Sequence, residues 1–349
     1  MGLVEQHHAL SRPEHPVCSV CIANYNGAAL LDDCLTSVLA QQGDISIEII
    51  VHDDASTDDS VALLRERYPQ VELLASNKNV GFCVGNNRMV AHARGEFVLL
   101  LNNDAVLYPD ALVTLLDTAR SSSSLGILSL PQYDWETGAL VDRGCLLDPF
   151  YNPVPNRAVA RFDVGYVIGA CLFLPRALWS KLGGFPTWID SIGEDMYLCC
   201  LARLYGYSVQ ALAASGYRHR QGQSFGGNRV VGGKLSTTYR RRFLSERNKT
   251  AVLFICTPTV LMWLLLVLHL LLLTCEGAAI SAIKRDRQPW RKIYAPTWHF
   301  VLSEFGVLHA RRKDVQRLRS TSWRDWLRVF TPMPRKLALL RRHGVPRIR

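Results

Sequence analysis

The chain alternates short apolar runs with stretches whose apolar residues recur every three or four positions. The runs Val17–Ala23, Ile45–Val51, Val71–Ala75, Glu96–Leu101 and Leu125–Leu130 have strand length. Between the first two, Ala28–Ala40 carries Leu30, Leu31, Leu35, Val38 and Leu39 at helical spacing. Asp58–Arg67, Gly81–Arg94 and Pro109–Ala119 fill the later gaps in the same way. Ser56 or Thr57 is placed to cap the second helix, and Pro109 suits the start of the fourth. Strand and helix in strict alternation predict a mainly parallel, doubly wound α/β sheet with helices on both faces. Val98 to Leu101, four apolar residues in succession, fit a strand buried on both sides.

Past residue 130 the pattern loosens. Residues 131–165, rich in Pro, Gly, Asp and Asn, read as a loop and hairpin region. Val164–Pro175 is β-like, Arg176–Leu182 a short helix ended by Gly183-Gly184, Glu194–Tyr205 a helix closed by Gly206, and Tyr207–Ala213 a strand. Ala251–Cys275 then runs for 25 residues without a charge, long enough to cross a bilayer. The expected partition is a polar extension (1–15), an α/β domain (16–250), an apolar membrane-associated segment (251–283) and a basic tail (284–349).

Charge sharpens the membrane expectation. The formal net charge is +10, yet residues 276–349 alone hold 18 Lys and Arg against 5 Asp and Glu, a net of +13. A basic tail beside an apolar run points to anionic lipid rather than nucleic acid, for which no interleaved aromatic motif is present. A single crossing would put that tail on the far side from the α/β domain, against the positive-inside tendency. Pro258 and His269 interrupt the run. A re-entrant or interfacial arrangement, or a hairpin using Gly277–Ile283, would keep the tail on the same side. Met1–Pro16 lacks the apolar core of a secretory signal. The ten cysteines show no disulfide spacing, and Cys18 and Cys21 point to opposite faces of one strand, as small buried residues do. Reduced thiols fit the cytoplasm.

Chemistry concentrates where strands end. The run Glu96–Leu101 delivers Asn102, Asn103 and Asp104 to the carboxyl edge of the sheet, where open α/β folds bind ligands. One carboxylate flanked by amides suits a hard divalent cation that keeps waters and takes oxygens from a phosphate. The same three residues are also common turn formers. The edge further receives Ala23-Asn24-Tyr25-Asn26-Gly27, His52-Asp53-Asp54-Ala55-Ser56, Asn77-Lys78-Asn79-Val80-Gly81 and Gly85-Asn86-Asn87.

With this ordered series the chain resembles the family 2 inverting glycosyltransferases of GT-A fold, over about residues 16–250. Gly169-Ala170, Gly183-Gly184-Phe185, Gly193-Glu194-Asp195, Arg203, Gly206, His219, Gly222 and Ser224 extend the likeness. It looks most like bacterial rhamnosyltransferase-like enzymes of surface polysaccharide assembly. The resemblance implies a Rossmann-like GT-A sheet followed by a membrane-associated helical region. It implies donor-nucleotide contacts at Ala23, Tyr25, Asn87, Asn102 and Asn103. Asp53, with Asp54 as its alternative, would accept from a pyrimidine N3–H; the alternative is that the two carboxylates cap the next helix. The family's Asp-x-Asp reads Asn102-Asn103-Asp104 here, so one carboxylate remains. Asp104 and His219 are the implied ligands for Mg²⁺ or Mn²⁺, and the mixed oxygen and nitrogen shell leans toward Mn²⁺. Asp195 is the implied general base, with Glu194 orienting it, although a helix start favours carboxylates anyway. Trp188 either stacks on an acceptor sugar or packs.

The implied partners are a nucleotide-sugar donor linked to UDP or dTDP, with rhamnose a candidate sugar, a glycan or polyprenyl-linked acceptor, and anionic lipid. The implied place is the cytoplasmic face of a bacterial inner membrane. Three rivals remain. A processive synthase would need more membrane helices and a Gln-x-x-Arg-Trp motif, which neither Gln221 nor Gln223 begins. A non-catalytic adaptor would explain Asn102 as decay. A nucleotidyltransferase would need a glycine-rich basic loop after the first strand, and this chain has none.

Overall fold

The computed structural model describes residues 3–122, 126–220, 229–231 and 233–349. It divides into two compact units. The first comprises Met1–Cys145, Pro155–Ala202 and Tyr207–Gln221, the second Leu146–Val154, Arg203–Gly206 and Gly222–Arg349.

In the first unit the strands are β1 (Val4–His7), β2 (Cys18–Asn24), β3 (Ile47–Asp53), β4 (Glu72–Ser76), β5 (Phe97–Asn102), β6 (Ala105–Leu107), β7 (Ile127–Ser129), β8 (Gln132–Asp134), β9 (Leu140–Asp142), β10 (Cys171–Pro175), β11 (Val209–Ala211) and β12 (Tyr217–His219). The helices are α1 (Ala28–Leu39), α2 (Ser60–Arg67), α3 (Phe82–His92), α4 (Ala111–Ser121), α5 (Arg176–Leu182) and α6 (Glu194–Leu204). One eight-stranded sheet runs β1-β4-β3-β2-β5-β10-β7-β11. The pairs β2–β3, β2–β5, β3–β4 and β7–β11 are parallel, whereas β1 and β10 run antiparallel to their neighbours. The α/β expectation therefore holds.

Three details differ from the sequence reading. The polar N-terminal extension is not outside the fold, because Val4–His7 adds an edge strand against β4. The β-like run ending at Pro175 enters the middle of the sheet, between β5 and β7, and runs antiparallel to both. Helix α2 starts at Ser60, and neither Ser56 nor Thr57 caps it: Ser56 is engaged by Asp53, and Asp58 takes the Ser60 N–H instead.

Burial follows the pattern that predicted it. Val98, Leu99 and Leu100 of β5 have no exposed surface, and Cys18, Val20 and Ile22 of β2 join Leu31, Leu35 and Val38 of α1 in one core. The eight Val, Leu and Ile side chains among these leave water, each worth about 1.5–3 kcal/mol relative to exposure. Cys18 and Cys21 are both fully buried, and burial pushes both thiols up. A second, four-stranded sheet, β6-β12-β8-β9, stands at the carboxyl edge of the first.

The second unit is mainly helical, with α7 (Tyr239–Cys256), α8 (Leu261–Lys284), a π-helical turn (Trp290–Tyr294), α9 (Ala295–Ser303), α10 (Phe305–Arg317), α11 (Trp323–Leu327) and α12 (Arg335–His343), and it also holds a three-stranded sheet of Arg229–Val231, Lys234–Thr237 and Arg347–Ile348. The expected boundary at 250 falls inside α7, and the apolar run 251–275 is not one helix. Pro258 excludes the helical conformation at Thr257, so α7 stops at Cys256, and Thr259 takes a positive φ of 66° before α8 begins. The residues Ala251–Cys256 are buried within the unit. Only α8, among the described residues, is long and apolar enough to cross a membrane.

Candidate active site

Strand register lines up the predicted residues. Ala23 of β2 lies beside His52 of β3 and Asn102 of β5, and Asn24 lies beside Asp53. Parallel pairing thus brings three strand ends to one edge.

The first cluster there is built on Asp53, which is 1% exposed. Its carboxylate accepts from Asn24 Nδ2 at 2.8 Å, Ser56 N at 2.9 Å and Ser56 Oγ at 2.7 Å. Asn24 Oδ1 in turn accepts from Asn103 Nδ2 at 2.7 Å. A carboxylate offers about four acceptor positions, so one remains on Asp53. Gly27 makes the cluster sterically feasible: a Cβ there would lie 2.2 Å from Asn103 Nδ2 and 2.4 Å from Asn24 Oδ1. Asp54 accepts from the N–H groups of Val80 at 2.7 Å and Gly81 at 2.8 Å, which ties the β3 turn to the start of α3, not α2. Ala23 is half-buried and Tyr25 exposed. His52 is held below its usual pKa by burial and by the Arg88 guanidinium, against the pull of Asp54 and Asp53.

The second cluster is built on Asp104, 4% exposed, and His219, 8% exposed. Asp104 Oδ1 and His219 Nε2 are 3.0 Å apart. Asn102 reaches the same ring nitrogen at 3.5 Å, and Gln132 Oε1 sits 3.4 Å from Nδ1. The pairing of β6 with β12 creates this meeting, because it sets Ala105 opposite His219 and lets Arg220 N donate to Asp104 O at 3.0 Å. His219 is buried although Arg218 and Arg220 flank it in sequence. Next to Gln132 in register lies Asp142. Burial raises its pKa to about 7, against the Gly144 N–H and the charges of His219 and Arg157. The Gln132 Nε2 is buried with no hydrogen-bond partner among the described residues.

No group of three or more His, Cys, Asp or Glu suited to a metal occurs among the described residues. The pair nevertheless fits a hard divalent ion. One carboxylate oxygen and one imidazole nitrogen already converge, and Gln132 can orient the far side of the ring.

The third cluster lies at the start of α6. Asp195 is half-buried and accepts from Gly169 N at 3.1 Å and Met196 N at 2.7 Å. Its neighbour in sequence, Glu194, is buried. Gly169 precedes Ala170, whose carbonyl accepts from Asn102 N at 3.1 Å. Two consecutive residues leading into β10 therefore hold Asp195 and Asn102. Ile192, a β-branched residue, has a φ of +69° just before Gly193, a costly conformation of the kind concentrated at functional loops.

Residues 19–182 match the family described as Glycosyl transferase family 2. This is a family 2 glycosyltransferase domain. A chondroitin synthase of Escherichia coli is 30% identical over 189 residues, 52% of this chain and 26% of that protein. The N-acetylglucosaminyl-diphospho-decaprenol L-rhamnosyltransferase of Mycobacterium tuberculosis is 26% identical over 213 residues, 52% of this chain and 69% of that protein. The crystal structure of GalNAc-T7 with UDP, GalNAc and Mn²⁺ superposes with a TM-score of 0.54 at 15% identity, covering 69% of this chain and 48% of that one, a likeness of fold. The chain spans about a third or less of the length of the first curated relatives it matches.

Two expected site residues, Asn87 and Trp188, have other partners in the structure. Asn87, expected at the nucleotide, spends both ends of its amide on Phe185: Nδ2 donates to the carbonyl at 2.8 Å and Oδ1 accepts from the N–H at 2.9 Å. It fixes the Gly184-Phe185 turn, and a Cβ on Gly184 would come 2.6 Å from its Oδ1. Trp188 packs edge-on against Tyr197 of α6, with centroids 5.6 Å apart, while staying half-exposed. Gln221, Gly222, Gln223 and Ser224 lie outside the described residues. Sequence reasoning missed Asn24, Ser56, Gln132 and Asp142 as members of these clusters. Asn24 and Ser56 stood inside the quoted strand-end segments, whereas Gln132 and Asp142 carried no local signal.

Proposed function

We propose that the protein is an inverting glycosyltransferase of polysaccharide assembly at a membrane. It moves one sugar, rhamnose or a relative, from a UDP- or dTDP-linked donor to a glycan acceptor on a polyprenyl carrier. The observation that carries this reading is the tie through Gly169 and Ala170, which sets Asp195 beside the strand end bearing Asn102 and Asp104. The polysaccharide context and the lipid-linked acceptor draw on the relatives' named activities.

In this reading the acceptor hydroxyl attacks the anomeric carbon as the bond to the diphosphate breaks on the opposite face. Asp195 takes the hydroxyl proton. The two main-chain N–H groups orient its carboxylate, and Glu194 flanks it. Asp104 and His219 would hold Mg²⁺ or Mn²⁺, which when bound offsets the charge of the leaving diphosphate. Asp53 with Asn24, together with Tyr25, Ala23, Asn102 and Asn103, forms the donor-nucleotide side. Asp54 and Asn87 hold the loops that shape it, and Trp188 flanks the acceptor.

Thermal unfolding with Mn²⁺ and a panel of UDP, dTDP, GDP, CMP and ATP tests the donor side, and transfer assays test the base. Asp195→Asn should cut transfer by roughly 10²–10⁴-fold and leave the nucleotide shift in place. Normal turnover by that variant would sink the assignment. Absence of a shift with any nucleotide would favour the adaptor reading.

A further inference from the structure

We propose that α8 does not cross the bilayer but lies in the plane of one anionic leaflet, apolar face down. This deepens the membrane association proposed above and is independent of the donor site. Helix α8 has 24 residues, about 36 Å at 1.5 Å per residue, so length alone would permit a crossing of a core about 30 Å thick. Its surroundings oppose one.

A buried stripe runs the whole length of the helix, from Met262 through Leu266, His269, Leu270, Leu273 and Gly277 to Ile280. Protein therefore covers one side from end to end. The opposite side, including Trp263, Leu264, Val267, Leu268, Leu271 and Leu272, is exposed and wholly apolar. Toward the C-terminal half of the helix the covered side carries ions. Arg242 of α7 donates to Glu276 at 2.6 Å, Lys336 bridges Glu276 and Glu246 at 2.5 and 2.7 Å, and Lys249 meets Glu246 at 2.7 Å. Thr250 Oγ1 and His269 Nε2 lie 2.8 Å apart. Glu276 sits eight residues before the end of α8. A crossing would carry this cluster into hydrocarbon, where ionised side chains are costly.

The ends of α8 give the second argument. At its N-terminal end Arg312 donates to the carbonyls of Phe254 and Thr257, both at 2.7 Å, and His309, Lys313 and Arg319 gather around Thr259 with it. At its C-terminal end stand Lys284, Arg285 and Arg287. A crossing would place one basic group on each side of the membrane. An in-plane helix places both in one headgroup layer, where Lys and Arg meet anionic lipid.

The test uses the full chain bound to vesicles of phosphatidylglycerol and phosphatidylcholine in equal parts. Cys275 is exposed, and the other nine cysteines are buried, so it takes a bimane label in the native sequence. Leu264→Cys, Leu268→Cys and Ile283→Cys are labelled in a Cys275→Ala background. Quenching by shallow against deep doxyl lipids then reads depth. An in-plane helix gives one quenching ratio at all four positions, with binding lost at high salt or in pure phosphatidylcholine. A ratio that is deepest at mid-helix and shallow at both ends would show a crossing and overturn the proposal while leaving membrane association intact. Labels that no lipid quenches would overturn both, and a dimer in the same sample would show a second copy as the true cover.

Discussion

The two clusters at the strand ends use the same residue types and differ in how completely the protein satisfies them. The three hydrogen bonds to the Asp53 carboxylate are 2.7–2.9 Å long, and the network runs on through Asn24 to Asn103. Around His219 one contact is short, two stretch to 3.4 and 3.5 Å, and the Gln132 amide nitrogen is left without a partner among the described residues. A satisfied buried network rigidifies, whereas a partly satisfied one costs free energy until something completes it. The difference teaches that the Asp53 side is rigid before a donor arrives, whereas the His219 side awaits a ligand to complete it.

The largest expected effect breaks the comparison most cleanly. Asp104→Ala or His219→Ala should abolish the Mn²⁺-dependent nucleotide stabilisation, about 2.7 kcal/mol at 100 times the dissociation constant, with little change in the ligand-free unfolding midpoint. Calorimetry with and without Mn²⁺ reads both quantities. An equal loss of ligand-free stability would mean that the pair is frame after all. Asp53→Ala should weaken the nucleotide shift and, unlike the Asp104 and His219 variants, also lower ligand-free stability. Leaving Asn24 and Ser56 without their acceptor costs roughly 1–3 kcal/mol, visible in urea unfolding without any ligand. Gly27→Ala strikes the same bridge sterically and should follow Asp53→Ala in direction.

The smallest effect concerns Asp142. Its folded pKa is raised to about 7 from 3.8, so between those values the folded state holds a proton that the unfolded chain has lost. Stability from this group is complete below about pH 4 and disappears as pH rises through 7. Asp142→Asn keeps the neutral form, so the variant should gain on the wild type from pH 5 to 8 and stay ahead above it. Thermal unfolding in chelator gives a midpoint higher by a few degrees at pH 8. Parallel pH profiles for the two proteins would show that Asp142 is ionised throughout.

What was readable from sequence is what periodicity governs. The strands through β5 and the helices between them follow from apolar spacing, and the clustering of polar residues at strand ends follows from parallel winding. What periodicity does not govern was invisible. Asn87 finds its partner 98 residues away at Phe185. Gln132 and Asp142 reach His219 through the register of a second sheet whose strands are three residues long. The uncharged run 251–275 averaged over a proline that divides it, so composition described one segment where the chain makes the end of one helix and most of another.

The insertion of β10 between β5 and β7 has a consequence during synthesis. Strand β5 pairs with β2 on one side and with β10 on the other. Until Pro175 has left the ribosome, the second edge of Phe97–Asn102 has no partner. At 5–20 residues per second that wait of about 70 residues lasts roughly 4–15 seconds. For that interval the most apolar strand of the sheet offers an open edge to any other nascent chain. Production of this protein should therefore be limited by chaperone supply and slowed translation more than by the stability of the finished fold.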